Sequence, residues 1–462
     1  MQSRGHRISP RSRALVRRRR ITALVVLLGV VVAALLVIVR PGGGHDRLVP
    51  GGGGDGDYDP LAYRYDREAD LTRRAAAGFS DVLFEKSPGG VVATARRTAA
   101  WRPLAERAAR ATGTSADVLE AIVFLESAGR PDVVAGGDLR SATGLGQILA
   151  STAVDLLHMH VDLARSRDLS QRIAAADQAG ARRAVRRLVR ARRRADERFD
   201  PARSLDATGR YLALAEREFG REDLAIASYH MGIGNLGTVL RRYAGAADDQ
   251  PVAALVADKK LTYTRLYFDT APLRNAHAYA FLSSLGDDSS TYLWRVLAAA
   301  NIMRMSREHP AELARLAALQ RTGGAAFRRV HPDGGVDAAA GGGAAPPTYA
   351  RRLGLRFMDP STEGYAPRPE TLATLVYIAA GVRDISRQVP LTVERARGFR
   401  IQIARRYRSR RQALAFEFML DRLQAWNLIA WRRAGGRLDV VVSSEASRVL
   451  PSAGQLARDA GR

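Results

Sequence analysis

Glu126 ends an apolar run, Val118-Leu119-Glu120-Ala121-Ile122-Val123-Phe124-Leu125, and is followed by Ser127. Counted back in helical steps, it shares a face with Leu119, Ile122 and Val123. A carboxylate on an apolar stripe is partly desolvated, and desolvation favours the neutral acid. The C-terminal end of a helix is the negative end of its dipole and pushes the same way. Both effects raise the pKa, which is what a general acid working near neutral pH requires. On the helix alone, a glutamate snorkelling into water is the more ordinary reading.

The elements that must position this carboxylate can be read around it. Thr114-Ser115-Ala116-Asp117 has the capping-box pattern that starts a helix, and Gly129 and Pro131 can stop it. Gly144-Leu145-Gly146-Gln147-Ile148 follows shortly after, and Ser228-Tyr229-His230-Met231-Gly232 comes much later. Arg182 to Arg198 is very basic, with Val185, Leu188 and Val189 at helical spacing. It reads either as a solvated helix with a thin apolar seam or as a surface that holds an anionic polymer or a membrane face. His158 and His160 stand at i, i+2, which points them apart on a helix, so neither they nor His277 is expected to bind metal. Asp138, Asp155 and Asp200 read as loop and cap residues rather than as second carboxylates of a site.

The chain ends and composition set further expectations. Residues 1–20 carry Arg4, Arg7, Arg11, Arg13 and Arg17-Arg18-Arg19-Arg20, a basic tail expected on the cytoplasmic side. Residues 21–39 are uncharged, and only Thr22 and Gly29 interrupt their apolarity. That length suits a single-pass anchor in the cell membrane, with the bulk of the chain outside. A cleaved signal peptide fits less well, because Val37-Ile38-Val39-Arg40-Pro41 is a poor cleavage site. Without cysteine there is no disulfide framework, so an exported chain relies on its core. The formal charge of +25 is carried almost wholly by arginine, since Lys86, Lys259 and Lys260 are the only lysines. Such a charge draws anionic polymers or lipid head groups. Nucleic acid is not an expected partner outside a membrane.

Composition divides the chain. Residues 40–60 are a Gly- and Asp-rich flexible linker, and 61–112 read as a helical N-terminal extension broken by Glu85-Lys86-Ser87-Pro88-Gly89-Gly90. Residues 113–288 carry the Glu126 constellation, and 289–348 read as helix followed by a low-complexity Gly/Ala/Pro linker. Residues 349–462 differ in texture. Glu370 to Val389 and Gln412 to Leu428 read as helices, and Pro390 to Val393 and Leu438 to Val442 as strands, giving a small α/β domain.

In order along the chain, the middle segment resembles the lytic transglycosylase domain, related to goose-type lysozyme. Five stretches between Gly113 and Ala271 carry the resemblance: Glu126-Ser127, Ala142 to Ile148, Phe199 to Leu205 with Gly209 to Leu212, Ala227 to Asn235, and Thr264 to Tyr267. The resemblance implies a mainly α, lysozyme-like domain that cleaves peptidoglycan glycan strands without a cofactor or metal. Glu126 would protonate the bond between N-acetylmuramic acid and N-acetylglucosamine. It would then act as base towards the muramic acid 6-hydroxyl, leaving a 1,6-anhydro end. Ser127 would orient the sugar, Gln147 would line the cleft, and Tyr229 would hydrogen-bond near the acid with His230 beside it. A hydrolytic muramidase and a catalytically silent wall-binding scaffold are the alternatives.

Three departures from the family pattern stand out. Gly146 replaces the usual Met, which removes a cleft-wall side chain and adds flexibility. His230 replaces an Asn and changes the hydrogen-bonding inventory. The stretch 182–198 looks like an insertion. The last segment is similar to zinc D-Ala-D-Ala carboxypeptidase-like domains through Gly398 to Ile403 and Trp426 to Trp431. It has no histidine after His331, so it reads as a degenerate relative that either grips the wall or a partner or braces the enzyme. Its removal is expected to leave cleavage of short glycans nearly intact.

Overall fold

Leu119, Ala121, Ile122, Val123 and Phe124 make the helix Ala116–Ser127 apolar on most sides, so it must sit among other helices. A computed structural model shows the enclosure. It describes residues 61, 63–271, 274–286, 288–321, 330–331, 346–361, 364–386 and 391–459. Helices Val91–Ala99, Arg102–Thr112, Pro201–Phe219 and Tyr292–Glu308 pack around the Glu126 helix. Helix Glu68–Lys86 lies along Tyr292–Glu308.

Three of these four neighbours come from segments that the sequence places outside the Glu126 region. Residues 61–112 form helices whose apolar faces, including Leu71, Phe79, Val91 and Ala105, belong to the same core as Leu119 and Ile122. The helix Tyr292–Glu308 likewise buries Leu293, Trp294, Val296 and Ile302 in that core. The buried carboxylate of Glu120 locks the arrangement: it pairs with Arg102 at 3.1 Å and with Arg307. One charge thus ties the Glu126 helix to the helix before it and to one reached only near residue 300.

The basic stretch folds as a helical hairpin, Leu163–Gln178 against Arg182–Ala195, over a small core of Leu169, Leu188 and Ala195. The solvated-face reading holds for most of its arginines and fails for two. Arg192 is 6% exposed and Arg198 is fully buried.

The C-terminal part is a mixed sheet with helices against it. Strands β1 (Leu355–Phe357), β2 (Tyr365–Pro367), β3 (Leu391–Gly398), β4 (Arg400–Ala404), β5 (Ile429–Ala434) and β6 (Arg437–Val442) run in the order β1-β3-β4-β6-β5. β1 and β2 both pair parallel with β3, and the remaining pairs are antiparallel. Helices Pro369–Ser386 and Arg410–Ala425 correspond to the two expected ones.

Helix Arg410–Ala425 and its end join this sheet to the helical part along an aromatic seam. Phe418 meets Tyr267 and Tyr279 edge-on at 5.6 and 5.3 Å, and Trp426 meets Phe268 at 5.9 Å. Arg422 donates to the Phe268 carbonyl at 2.8 Å. At Gly78, inside helix Glu68–Lys86, an added Cβ would stand 2.1 Å from the Gln424 carbonyl oxygen. Glycine in a helix interior costs about 1 kcal/mol against alanine, and here it permits the backbones to touch.

The expected single-pass membrane location is corrected. Among the described residues no helix is long and apolar enough to cross a membrane. The basic tail 1–20, the span 21–39 and the linker 40–60, on which that expectation rested, lie outside the described residues.

Candidate functional site

The Glu126 helix begins at Ser115, whose hydroxyl accepts from the Val118 amide at 3.4 Å, one residue later than the capping-box pattern places the cap. It ends on Ala128 and Gly129, both in the left-handed region with φ of 53° and 73°. Arg97 donates to the Ala128 carbonyl at 2.9 Å, and the Trp101 indole donates to the Gly129 carbonyl at 2.8 Å. A Cβ on Gly129 would meet the Thr98 amide at 2.6 Å. The turn that follows the glutamate is therefore fixed from outside, and with it the direction of the side chain.

Glu126 keeps a partly exposed surface while its carboxyl group is packed round by protein. Burial pushes its pKa up. The Tyr292 hydrogen bond and the electrostatic influence of His230 and Arg295 work against that rise without cancelling it. The Tyr292 hydroxyl donates to Glu126 Oε1 at 2.7 Å. Tyr292 opens its helix directly after the short turn Asp288–Thr291, and its ring stacks on two others. It stacks on His230 at 5.2 Å and on Tyr229 at 6.2 Å. His230 is exposed, and its Nδ1 lies 2.8 Å from the Ser289 hydroxyl. Among the described residues, the groups that act on Glu126 are Tyr292, His230 and Arg295, none of them a carboxylate.

The other expected site residues take different places. Tyr229 comes from helix Glu222–Met231. Its hydroxyl donates to the Gly146 carbonyl at 2.7 Å and lies 3.2 Å from Thr208 Oγ1. Tyr229 thus anchors the Gly146 turn, and the hydrogen bond to the acid comes from Tyr292. Ser127 is 1% exposed, and its hydroxyl donates back to the Val123 carbonyl at 3.1 Å. Gln147 sits at φ 48°, and its amide donates to the Val133 and Gly144 carbonyls at 3.1 and 2.9 Å.

Gly146 does not loosen the turn as expected from its small size. It is buried, its amide donates to Ser204 Oγ at 3.2 Å, and an added Cβ would stand 2.3 Å from Thr208 Oγ1. The residue is fixed, and no side chain fits there.

Arg198 organises the same segment from beneath. Its guanidinium makes two bonds to the buried Asp196 carboxylate, at 2.9 and 2.8 Å. Its other donors reach the carbonyls of Leu139, Ser141 and Ile148 at 2.7, 3.2 and 3.3 Å. At Gly144, φ 81°, a Cβ would come within 1.9 Å of the Arg198 carbonyl oxygen. The C-terminal end of the basic stretch 182–198 therefore holds the Gln147 segment.

Asp200 caps helix Pro201–Phe219 by accepting from the Ala202 and Arg203 amides, and Asp138 accepts from the Arg140 amide at 3.0 Å. A cavity of about 340 Å³ lined by Ser115, Glu216 and Glu222 lies at the N-terminal end of the Glu126 helix, away from the acid. Tyr292 is the residue sequence reasoning missed: it is 166 positions from Glu126, and nothing in its spacing marks it. No family model matches this chain, and no curated protein matches it.

Proposed function

We propose that this protein is a lytic transglycosylase with a lysozyme-like helical domain, acting on the N-acetylmuramic acid–N-acetylglucosamine bond of peptidoglycan. The observation that supports the reading is a carboxyl group whose pKa is raised by burial and which is held by a tyrosine, with no second carboxylate acting on it among the described residues. A two-carboxylate glycosidase needs a nucleophile or base opposite its acid. A substrate hydroxyl removes that need.

With Oε1 engaged by Tyr292, Oε2 carries the proton. Glu126 donates it to the glycosidic oxygen as the bond to C1 breaks. The resulting carboxylate is stabilised by the Tyr292 hydroxyl and by the charge of Arg295. It then takes the proton from the muramic acid 6-hydroxyl as that oxygen bonds to C1. The proton returns to Glu126, no water is consumed, and a 1,6-anhydro end is left.

Mass spectrometry of muropeptides released by the purified protein tests this. Anhydro products, lighter by one water and refractory to borohydride, are expected. Products that are all reducible would place the protein among the hydrolytic muramidases. No release of glycan at all would leave a wall-binding scaffold.

A further inference from the structure

Helix Arg182–Ala195 carries eight arginines in fourteen residues and no acidic residue. Arg192 is consumed inside the fold, by Asp132, by the Ser170 hydroxyl at 3.3 Å and by the Phe199 ring at 3.9 Å. Six others, Arg182, Arg183, Arg186, Arg187, Arg190 and Arg194, are exposed. None of the six makes an ion pair among the described residues. At 3.6 residues per turn they fall within an arc of about 140° and extend along roughly 18 Å of helix. Neighbours three and four apart stand about 5–6 Å from one another. The opposite side of the helix, with Leu188 and Ala195, seals the hairpin core, so the charged face is directed outward by packing.

Six like charges this close repel one another, and nothing within the described fold offsets them. We propose that this face binds a flexible phosphodiester-linked polyol polymer lying along the helix. Guanidinium groups grip phosphate oxygens in a two-pronged fork, which suits arginine better than lysine. Between Leu163 and Ala195 there is no aromatic side chain on which a nucleobase could stack. The face therefore matches an anionic backbone without bases. The base of the hairpin is bolted to the Gln147 segment through Arg198 and Asp196, so a bound polymer would be held beside the candidate site. Binding here does not depend on the cleavage reaction proposed above.

The test is titration of the full chain with poly(glycerol phosphate) at several salt concentrations, with a single-stranded DNA of equal charge as comparator. The variant R183Q/R187Q/R190Q/R194Q keeps good helix formers at every position. A control, R107Q/R110Q/R351Q/R352Q, removes the same charge from exposed sites elsewhere. The hairpin variant should bind the polymer at least tenfold more weakly at low salt. Its slope of log affinity against log salt should fall by about 3, at roughly 0.7 per lost phosphate contact. The control should lose less than threefold. Equal losses in the two variants would reduce the effect to net charge and overturn the proposal. Tighter binding of the DNA than of the polyol phosphate would overturn the choice of partner. Matching circular dichroism of both variants and the wild type secures the comparison.

Discussion

Tyr292 donates its hydroxyl to Glu126 Oε1 at 2.7 Å across 166 positions of chain, from a segment that sequence patterning placed beyond the site-bearing domain. The bond has a definite sign. It stabilises the carboxylate form, and so restrains the rise in pKa that burial imposes. Tyr292→Phe keeps the ring that stacks on His230 and Tyr229 and removes only the donor. The Glu126 pKa should then move further up. If the free enzyme must carry the proton, the alkaline limb of kcat/KM against pH moves to higher pH. An unmoved limb would show that Glu126 is not the group titrating there.

Glu126→Gln is nearly isosteric and cannot cycle a proton. Turnover on purified sacculi should fall by about 10²–10⁴-fold. The same change should stabilise the fold at neutral pH. A raised native pKa means that the native state holds a proton the unfolded chain has lost, so wild-type stability falls as pH rises above the ordinary value of 4.5. Thermal melts of the two proteins should coincide in acid and separate above that pH, with the Gln variant the more stable. Native turnover by the variant would remove Glu126 from the chemistry.

Asp421 offers a second test of the same linkage, away from the acid. It accepts from the Trp431 indole at 3.0 Å, and burial, reinforced by the charge of Asp288, raises its pKa from 3.8 to about 7. Stability attributable to it is full below pH 3.8 and declines as pH rises towards about 7. Asp421→Asn retains an oxygen acceptor and should abolish that part of the decline, as denaturant melts at pH 4 and pH 8 would show. An identical pH dependence in both proteins would count against the buried acid.

Arg198→Met should cost about 3–5 kcal/mol, because it strands the Asp196 carboxylate in a dry site. Three carbonyls between Leu139 and Ile148 lose the Arg198 bond at the same time. Amide exchange should therefore accelerate in 139–148 more than in the Pro201–Phe219 helix. Uniform acceleration would mean a global loss of stability rather than release of the Gln147 segment.

How much of this was readable beforehand depended on whether the determining interactions were local. The Glu126 helix and its glycine-assisted stop follow from neighbours within a few positions, and sequence periodicity found them. Strand β6 was visible because Leu438, Val440 and Val442 alternate inward. Strand β5 was not, since it is an edge strand with Arg432 and Arg433 and no alternation. The bonds from Arg198 to Ile148, from Tyr229 to Gly146 and from Tyr292 to Glu126 span 50, 83 and 166 positions. No periodicity reports them. Gly146 misled for a related reason: a glycine required by a distant side chain looks the same in sequence as one that confers freedom.

Deleting everything after Gly323 should not leave a working helical domain, contrary to the expectation from sequence. It would uncover Tyr267, Phe268 and Tyr279, which meet Phe418 and Trp426 in the intact chain. Size-exclusion chromatography should find the fragment aggregated or expanded. A monodisperse fragment with native melting temperature would restore the view of two separable parts.

The contact at Gly78 bears on how such a chain can change over generations. With 2.1 Å between a would-be methyl and the Gln424 carbonyl oxygen, helix Glu68–Lys86 and the end of helix Arg410–Ala425 form a matched pair that one substitution can spoil. Exchange of the C-terminal portion by recombination would have to bring a partner with the same backbone path opposite residue 78. The two portions are thereby constrained to be inherited together, and a lineage that lost the sheet would first have had to rebuild the surface beneath it.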